Sequence, residues 1–241
     1  MPSLTQIPPG MNAYSYAFDA AILAGLQSLY RARLAPLFDT PEYAPLLAGG
    51  ENRVGEFGGE APTFFYATYG TEPLLWVSNN DWESYRLFKA VFEEIAIAPE
   101  IENLVDHRDG ITLYSGFFVV GHHADNTNWH LDYAEGANAY TLITPLFALN
   151  PGHGNLLFRD DGGAVHTYRY RLGEAIVLGD RFPHTTEPYA GTGEMRVLLS
   201  MTFGTDKLEH WDALKQTVGG QSKFLILPCG HRLGECRCLE G

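Results

Sequence analysis

The sequence predicts a mainly β chain with flanking helices, its strands wound into a sandwich or barrel of jelly-roll type. Three observations lead there. From about Ile111, eight short runs rich in β-branched and aromatic residues follow one another, separated by Gly, Asp and Asn. On either side of this region apolar residues recur three or four apart, as on a helix with one buried stripe. At 241 residues and 45% hydrophobic content the chain is long enough for one well-buried core, and no repeat, low-complexity segment or linker divides it.

The first expected element is a helix over Tyr14–Leu34, where Tyr14, Phe18, Ala21, Ile22, Leu26, Leu29 and Tyr30 share a stripe. Pro41–Leu47 offers a helical turn or two. Gly49–Gly59 reads as a mobile loop, because its glycines lower the cost of irregular backbone. A second helix begins at Asp81, whose carboxylate can cap free N–H groups, and presents Trp82, Tyr85, Phe88, Val91, Phe92 and Ile95 on one side. Strands are expected at Ile111–Gly121, Asn128–Tyr133, Ala139–Leu149, Asn155–Phe158, Val165–Arg171, Ala175–Leu178, Arg181–Thr185 and Glu194–Phe203. Asp206–Thr217 has the pattern of a final helix, and no periodicity places the tail after Gln221. The expected organisation is one domain over 1–241: a helical and mixed part over 1–110, the β core over 111–205, and a helix and tail over 206–241.

Sixteen Lys and Arg against 29 Asp and Glu give a formal charge of -13. A surface with that balance repels phosphate backbones, and no local basic stripe offsets it, so nucleic acid is excluded as a partner. The charge serves solubility and also favours a cationic substrate. The first ten residues lack the basic segment and apolar run of a secretory signal, and no apolar stretch approaches the roughly 20 residues of a membrane helix. A soluble cytoplasmic protein that does not engage membranes is expected; nothing in the sequence speaks to an oligomeric state. The cysteines, Cys229, Cys236 and Cys238, are odd in number and confined to the tail, a poor match to a disulfide framework. With His231 they are enough for a tetrahedral zinc site, but their spacing fits no regular finger, and a disordered end with free thiols is the expectation.

The chemistry concentrates in four residues. His130 and Asp132 stand two apart in Asn128-Trp-His-Leu-Asp-Tyr133, so on a strand both face the interior while Leu131 faces the opposite layer. His184 follows 52 residues after Asp132, behind the turn-like Leu178-Gly-Asp-Arg-Phe-Pro183, far enough for intervening strands to bring it back. Two imidazoles and one carboxylate can hold a single divalent iron on one face and leave the other open; nitrogen and oxygen donors without thiolate suit iron(II) better than a closed zinc site. Arg196, twelve positions beyond His184, supplies a counter-charge for an anionic co-substrate. A lone His-x-Asp is weak evidence among nine histidines and many acids, and it is the distal His and Arg that raise the signal.

On these residues the stretch from about Ile111 to Thr205 resembles the double-stranded β-helix core of the Fe(II)/2-oxoglutarate-dependent oxygenases, whose pattern is His-x-Asp/Glu, a distal His, then a basic residue. Asn150-Pro-Gly-His-Gly-Asn-Leu-Leu-Phe158 and Gly173-Glu-Ala-Ile-Val-Leu-Gly-Asp-Arg-Phe-Pro-His184 resemble segments of the phytanoyl-CoA-dioxygenase-like branch. The first hundred residues resemble nothing nameable. The resemblance implies a jelly-roll, cupin-like core, with His130, Asp132 and His184 binding Fe(2+) and Arg196 gripping the distal carboxylate of 2-oxoglutarate, with O2 as oxidant. It further implies hydroxylation or a related C–H oxidation (desaturation, ring closure or epimerisation) of a small molecule, an amino acid or a natural-product intermediate of secondary metabolism, with release of succinate and CO2. The carboxylate at Asp132 disfavours halogenation, since related halogenases keep a small residue there. Two other readings compete: a cupin-type metal enzyme that does not use 2-oxoglutarate, and a non-enzymatic binding scaffold.

The same resemblance directs attention to hydroxyls on strands flanking the ligands. Tyr114 and Thr144 are candidate co-substrate contacts, with Tyr140 on the face of Thr144 while Thr141 and Ile143 point the other way. Each is more ordinary as a packing residue. Ser200 lies four beyond Arg196, too far for the Arg-x-Ser pattern of some relatives. His122 in the loop preceding the ligands and Arg159 at a strand end are candidate substrate contacts, beside the commoner reading of a free loop histidine and a surface ion pair. Trp129 is expected in the core.

Overall fold

The computed structural model describes residues 3–70, 72–150, 152–191 and 195–239. In chain order its strands are Thr5–Gln6 (β1), Ala13–Ala17 (β2), Val54–Phe57 (β3), Phe64–Tyr69 (β4), Glu72–Asn79 (β5), Thr112–Gly121 (β6), Ala139–Pro145 (β7), Leu156–Arg159 (β8), Val165–Tyr168 (β9), Glu174–Leu178 (β10), His184–Thr186 (β11) and Arg196–Gly204 (β12). Its α-helices are Ala24–Leu29 (α1), Trp82–Ile95 (α2), Ala98–Ile101 (α3) and Trp211–Val218 (α4). The strands form a nine-stranded sheet in the order β1-β2-β10-β7-β12-β6-β5-β4-β3 and a three-stranded sheet in the order β11-β8-β9, with every pairing antiparallel. The four central strands β10, β7, β12 and β6 and the smaller sheet make the jelly-roll expected from the sequence, a double-stranded β-helix.

Side-chain alternation on the large sheet creates two faces of different chemistry. On β12, Val197, Leu199, Met201 and Phe203 enter the main apolar core with Leu142 of β7, Phe118 and Val120 of β6, and Phe88, Phe92 and Ile95 of α2. The opposite face looks into the roll. One half of that interior is filled by Met11, Ala13, Leu156, Phe158, Ile176, Leu178 and Phe182, and the other half is the cavity described below. Helix α2 can lie close on the sheet because Gly116 has no side chain: a Cβ there would come 2.3 Å from the Phe88 ring.

The first hundred residues depart from expectation. Tyr14–Ala17 belongs to a strand, with β2 pairing β10 from Glu174↔Ala17 to Leu178↔Ala13; helical turns begin only at Ala20, after Asp19 accepts from Ala21 N at 2.9 Å. Tyr14 and Tyr16 satisfy a period of two as well as they satisfy a helical stripe, and the unpaired edge of β10 selects the former. The glycine-rich stretch contains β3, whose Gly55 lies under the Tyr66 ring, where a Cβ would come within 2.5 Å of it. Strands β4 and β5 then join β3 to β6. Residues before 110 thus extend the same sheet as the core instead of standing beside it. The strands expected at Ala139–Leu149, Val165–Arg171 and Arg181–Thr185 are shorter or shifted, and Glu194 lies outside the described residues. No helix among the described residues is long and apolar enough to cross a membrane.

Asp81 caps α2 as its sequence position predicts, accepting from Ser84 N at 2.7 Å while also accepting from Thr63 N at 2.7 Å and Thr63 Oγ1 at 2.8 Å. Burial raises its carboxyl pKa, but these donors outweigh burial and hold it below the ordinary value. Asp81→Ala is expected to cost about 1–2 kcal/mol in urea denaturation at neutral pH. Because the folded-state pKa is depressed, the cap contributes fully above the unfolded-state value and fades as pH falls through the folded one, so the difference between wild type and variant shrinks in acid.

Candidate metal centre

Asn128–Tyr133 does not form the expected strand. Only His130 pairs, through an isolated antiparallel bridge to His184 in which His130 N donates to His184 O and His184 N donates to His130 O, both at 3.0 Å. This bridge prolongs the small sheet by one residue on the far side of β11. Leu131 is half exposed instead of packing against an opposite layer. The chain then bends so that Asp132 turns back to the histidines, and Thr217 of α4 donates its hydroxyl to the Asp132 carbonyl. The geometry needed from the pair is obtained, by a bend instead of strand parity.

Asp132 Oδ1 lies 3.6 Å from His130 Nε2 and 3.5 Å from His184 Nε2, and the two rings are 4.4 Å apart. That spacing matches donors sharing one ion at bond lengths of about 2.0–2.2 Å. The imidazoles are set up for this. His130 Nδ1 is 2.8 Å from Asn128 O, and His184 Nδ1 is 2.9 Å from Phe182 O. A carbonyl can only accept, so each Nδ1 is the donor and each Nε2 is turned toward Asp132 as the atom that would meet a metal. Burial lowers the His184 pKa, His130 adds to the effect and Asp132 opposes it, so this ring is neutral at neutral pH, the form that binds metal. Two histidines and a carboxylate on one side of an open space is the donor set of a mononuclear iron(II) site with free coordination positions.

The open space is a cavity of about 270 Å³. Its lining includes the three donors together with Trp76 and Phe117, stacked 4.4 Å apart, and Arg196, Leu198 and Ser200 at alternate positions of β12. The polarity of the lining is graded with depth. The His130 side chain is 48% exposed, that of His184 only 6%, and Arg196 is 2% exposed as a residue. Arg196 Nε donates to Gly154 O at 3.1 Å, and its guanidinium lies 5.4 Å from the Tyr170 ring and 5.9 Å from that of Tyr189. Among the described residues no carboxylate is within ion-pair distance of it. A buried cation without an acid is costly unless an anion completes it, which marks this end of the cavity for an anionic ligand. Burial pushes the Tyr170 hydroxyl up to about 12 against the opposing pull of Arg196, so the phenol stays protonated and can donate.

The remaining candidates from the sequence lie elsewhere. Tyr114 is not a cavity residue: it is the extra residue of a bulge in β6, where Thr202 pairs Ser115 and Phe203 pairs Leu113, and its hydroxyl donates to Thr205 O at 2.7 Å among Tyr133, Leu214 and Leu225. Thr144 donates to Glu174 O at 2.9 Å, outside the cavity lining. Thr141 and Ile143, on the other face of β7, line the cavity. Arg159 stacks 4.1 Å over Trp129, and His122 stacks on His123; neither reaches the lining, and Trp129 is only half-buried. Tyr170, Trp76 and Gln221 are lining residues the sequence did not single out, and Thr141 and Ser200 are lining residues that its strand parity and motif spacing set aside. For Ser200 the signal was present, since two steps of two from Arg196 lead to it. The indole N–H of Trp76 is buried and has no partner among the described residues.

No family model and no curated protein sequence matches the chain. Solved structures match it in fold. EvdO2 from Micromonospora carbonacea var. aurantiaca aligns with a TM-score of 0.52 at 14% identity over 84% of this chain and 93% of that one. AviO1 from Streptomyces viridochromogenes Tue57 aligns at 0.51 and 18% identity over 80% and 90%. A Pseudomonas putida prolyl-4-hydroxylase aligns at 0.50 and 16% over 81% and 94%. At these identities the likeness establishes the double-stranded β-helix fold, shared over most of each chain.

Tyr114→Phe removes the bond to Thr205 and is expected to lower stability by about 1 kcal/mol in urea melts. Small-molecule and metal titrations of the same variant should superimpose on those of the wild type.

Proposed function

We propose that this chain is a non-haem iron(II)- and 2-oxoglutarate-dependent oxygenase acting on a small molecule. The observation that carries the reading is the pairing of two features in one cavity: a His130, Asp132 and His184 cluster toward its mouth, and a buried Arg196 with no acidic partner among the described residues deeper in. A dicarboxylate fits between them. Its distal carboxylate meets the Arg196 fork, with Tyr170 able to donate a further hydrogen bond, and its keto-acid end reaches the metal. The group the cavity would hold supplies oxidative chemistry, in which decarboxylation to succinate and CO2 drives oxidation of a substrate C–H bond by O2.

The chain's own residues bind, orient and exclude. Carbonyls of Asn128 and Phe182 fix the imidazole tautomers, and the Thr217 contact holds the bend that aims Asp132. Trp76, Phe117 and Leu198 form an apolar wall that keeps water from the reacting end. The rim carries Glu72, Asp125, Asn126 and Asn128, so a neutral or cationic, hydroxyl- or amine-bearing small molecule is the substrate class it suits. A natural-product intermediate or an amino acid meets that description. Membership of the phytanoyl-CoA-dioxygenase-like branch rests on the 150–158 and 173–184 segments, the latter of which delivers His184.

Anaerobic addition of Fe(II) and then 2-oxoglutarate should produce the visible charge-transfer band of the chelate. His130→Ala and His184→Ala should abolish it. Arg196→Ala should weaken 2-oxoglutarate by roughly 30-fold or more, about 2 kcal/mol, while iron binding is kept. Metal-dependent turnover that proceeds without 2-oxoglutarate would overturn the proposal in favour of a cupin-type enzyme.

A further inference from the structure

The tail that the sequence leaves as a free end with loose thiols is folded into a compact knot. Pro228-Cys-Gly-His231 makes a tight turn, with Leu227 N donating to His231 O and Gly230 N donating to Leu227 O, both at 2.8 Å. Gly230 takes the left-handed conformation, at φ +81°, that this reversal requires. A second turn, closed by Glu235 N donating to Arg232 O at 3.1 Å, returns the chain and brings Cys236 and Cys238 against the first. Four donor atoms meet there. Cys229 Sγ is 3.5 Å from both His231 Nδ1 and Cys236 Sγ, and His231 Nδ1 is 3.6 Å from Cys236 Sγ and 3.7 Å from Cys238 Sγ.

These separations discriminate between the possible states of the cysteines. A disulfide would bring two sulfurs to about 2.0 Å, and none of the three is so paired. Donors on a tetrahedron around zinc, with bonds of about 2.3 Å to sulfur and 2.0–2.1 Å to nitrogen, stand roughly 3.5–3.8 Å apart. The observed distances fall in that interval. The donors are exposed or half-exposed, so no apolar packing drives them together. Cys238 N also donates to Cys236 Sγ at 3.3 Å, a bond that favours the thiolate over the thiol. Soft sulfur donors with one imidazole and no open position select zinc in a structural role, unlike the oxygen- and nitrogen-lined cavity.

We infer that Cys229, His231, Cys236 and Cys238 form a Cys3His structural zinc site that locks the C-terminal strap onto the roll. The strap is tied to the fold upstream of the knot: Asn79 Nδ2 donates to Phe224 O at 2.5 Å, Ile226 N donates to Tyr114 O at 3.0 Å, and Thr112 Oγ1 donates to Pro228 O at 3.3 Å. Its first residue, Gln221, lines the cavity and accepts from Thr202 Oγ1 at 3.1 Å. Closing the far end with a metal therefore fixes one wall of the cavity from outside it.

The test uses the full chain purified under reducing conditions without chelator, beside a His130→Ala/Asp132→Ala variant that removes the cavity donors. Elemental analysis should find about one zinc per chain in both. Cobalt(II) should give the variant the intense visible bands of a tetrahedral thiolate site. The three cysteines of the wild type should resist a thiol reagent until a chelator is added and then all react, with proteolysis appearing between residues 222 and 239. Cys236→Ser/Cys238→Ser should lose zinc and cobalt bands alike. Thiols that react at once in the zinc-supplemented wild type, a Cys229–Cys236 disulfide formed in the presence of zinc, or cobalt spectra without sulfur charge transfer would each overturn the assignment, even if the serine variant fails to fold.

Discussion

Two backbone hydrogen bonds, from His130 to His184 and back, are the constraint on which the centre depends. They fix two residues 54 positions apart in sequence at one register, and the orientation of both imidazoles follows from it. The rest of the roll serves that register. Strand β11 is aligned on β8 from His184↔Phe158 to Thr186↔Leu156, and Phe182 is stacked on Phe158 at 5.1 Å, so the turn that delivers His184 is packed before the histidine is reached. On the other side the segment is held by Asn128 N donating to Thr185 Oγ1 at 2.8 Å. The Nδ1 atoms of both imidazoles are bonded to backbone carbonyls, which lets the three potential ligands sit side by side with Nε2 left free to face Asp132.

Much of this was legible in the sequence, and what was not has identifiable physical reasons. His130, Asp132, His184 and Arg196 were readable because each is a chemically unusual residue at a separation that an antiparallel roll can close. The alternation along β7 was also readable, but choosing which face looks inward was not. Thr144 and Thr141 are equally good strand residues, and only the packing of Leu142 against the main core decides between them. Tyr114 failed for a different reason, since a bulge breaks the parity that sequence counting assumes. The N-terminal strands escaped because the β1–β2 and β3–β4–β5 hairpins are anchored to the core only through β2 on β10 and β5 on β6, long-range pairings that local propensity does not contain. The tail escaped because knots held by few residues carry no periodicity.

The electrostatics of the molecule are divided in a way that suits the proposed chemistry. The chain as a whole carries a formal charge of -13, yet the deep end of its cavity is lined by a cation that no described acid neutralises. An anionic co-substrate would have to cross an unfavourable outer field to reach a favourable inner one, so its affinity would rest on short-range contacts with Arg196 and the proposed metal more than on steering from a distance. A neutral or cationic substrate meets no such barrier at the rim. The two ligands of the proposed reaction are thereby told apart by charge before either touches the centre.

The unequal exposure of the two histidines has a further consequence. His184 is sealed behind Phe182 and the small sheet, whereas His130 stands at the opening with half of its side chain in water. An ion held between them would be bounded by protein on one flank and by solvent on the other. Of the three candidate donors His130 has the most exposed side chain, so exchange of the ion with the medium would run past it, and a substrate seated over the rim would slow that exchange.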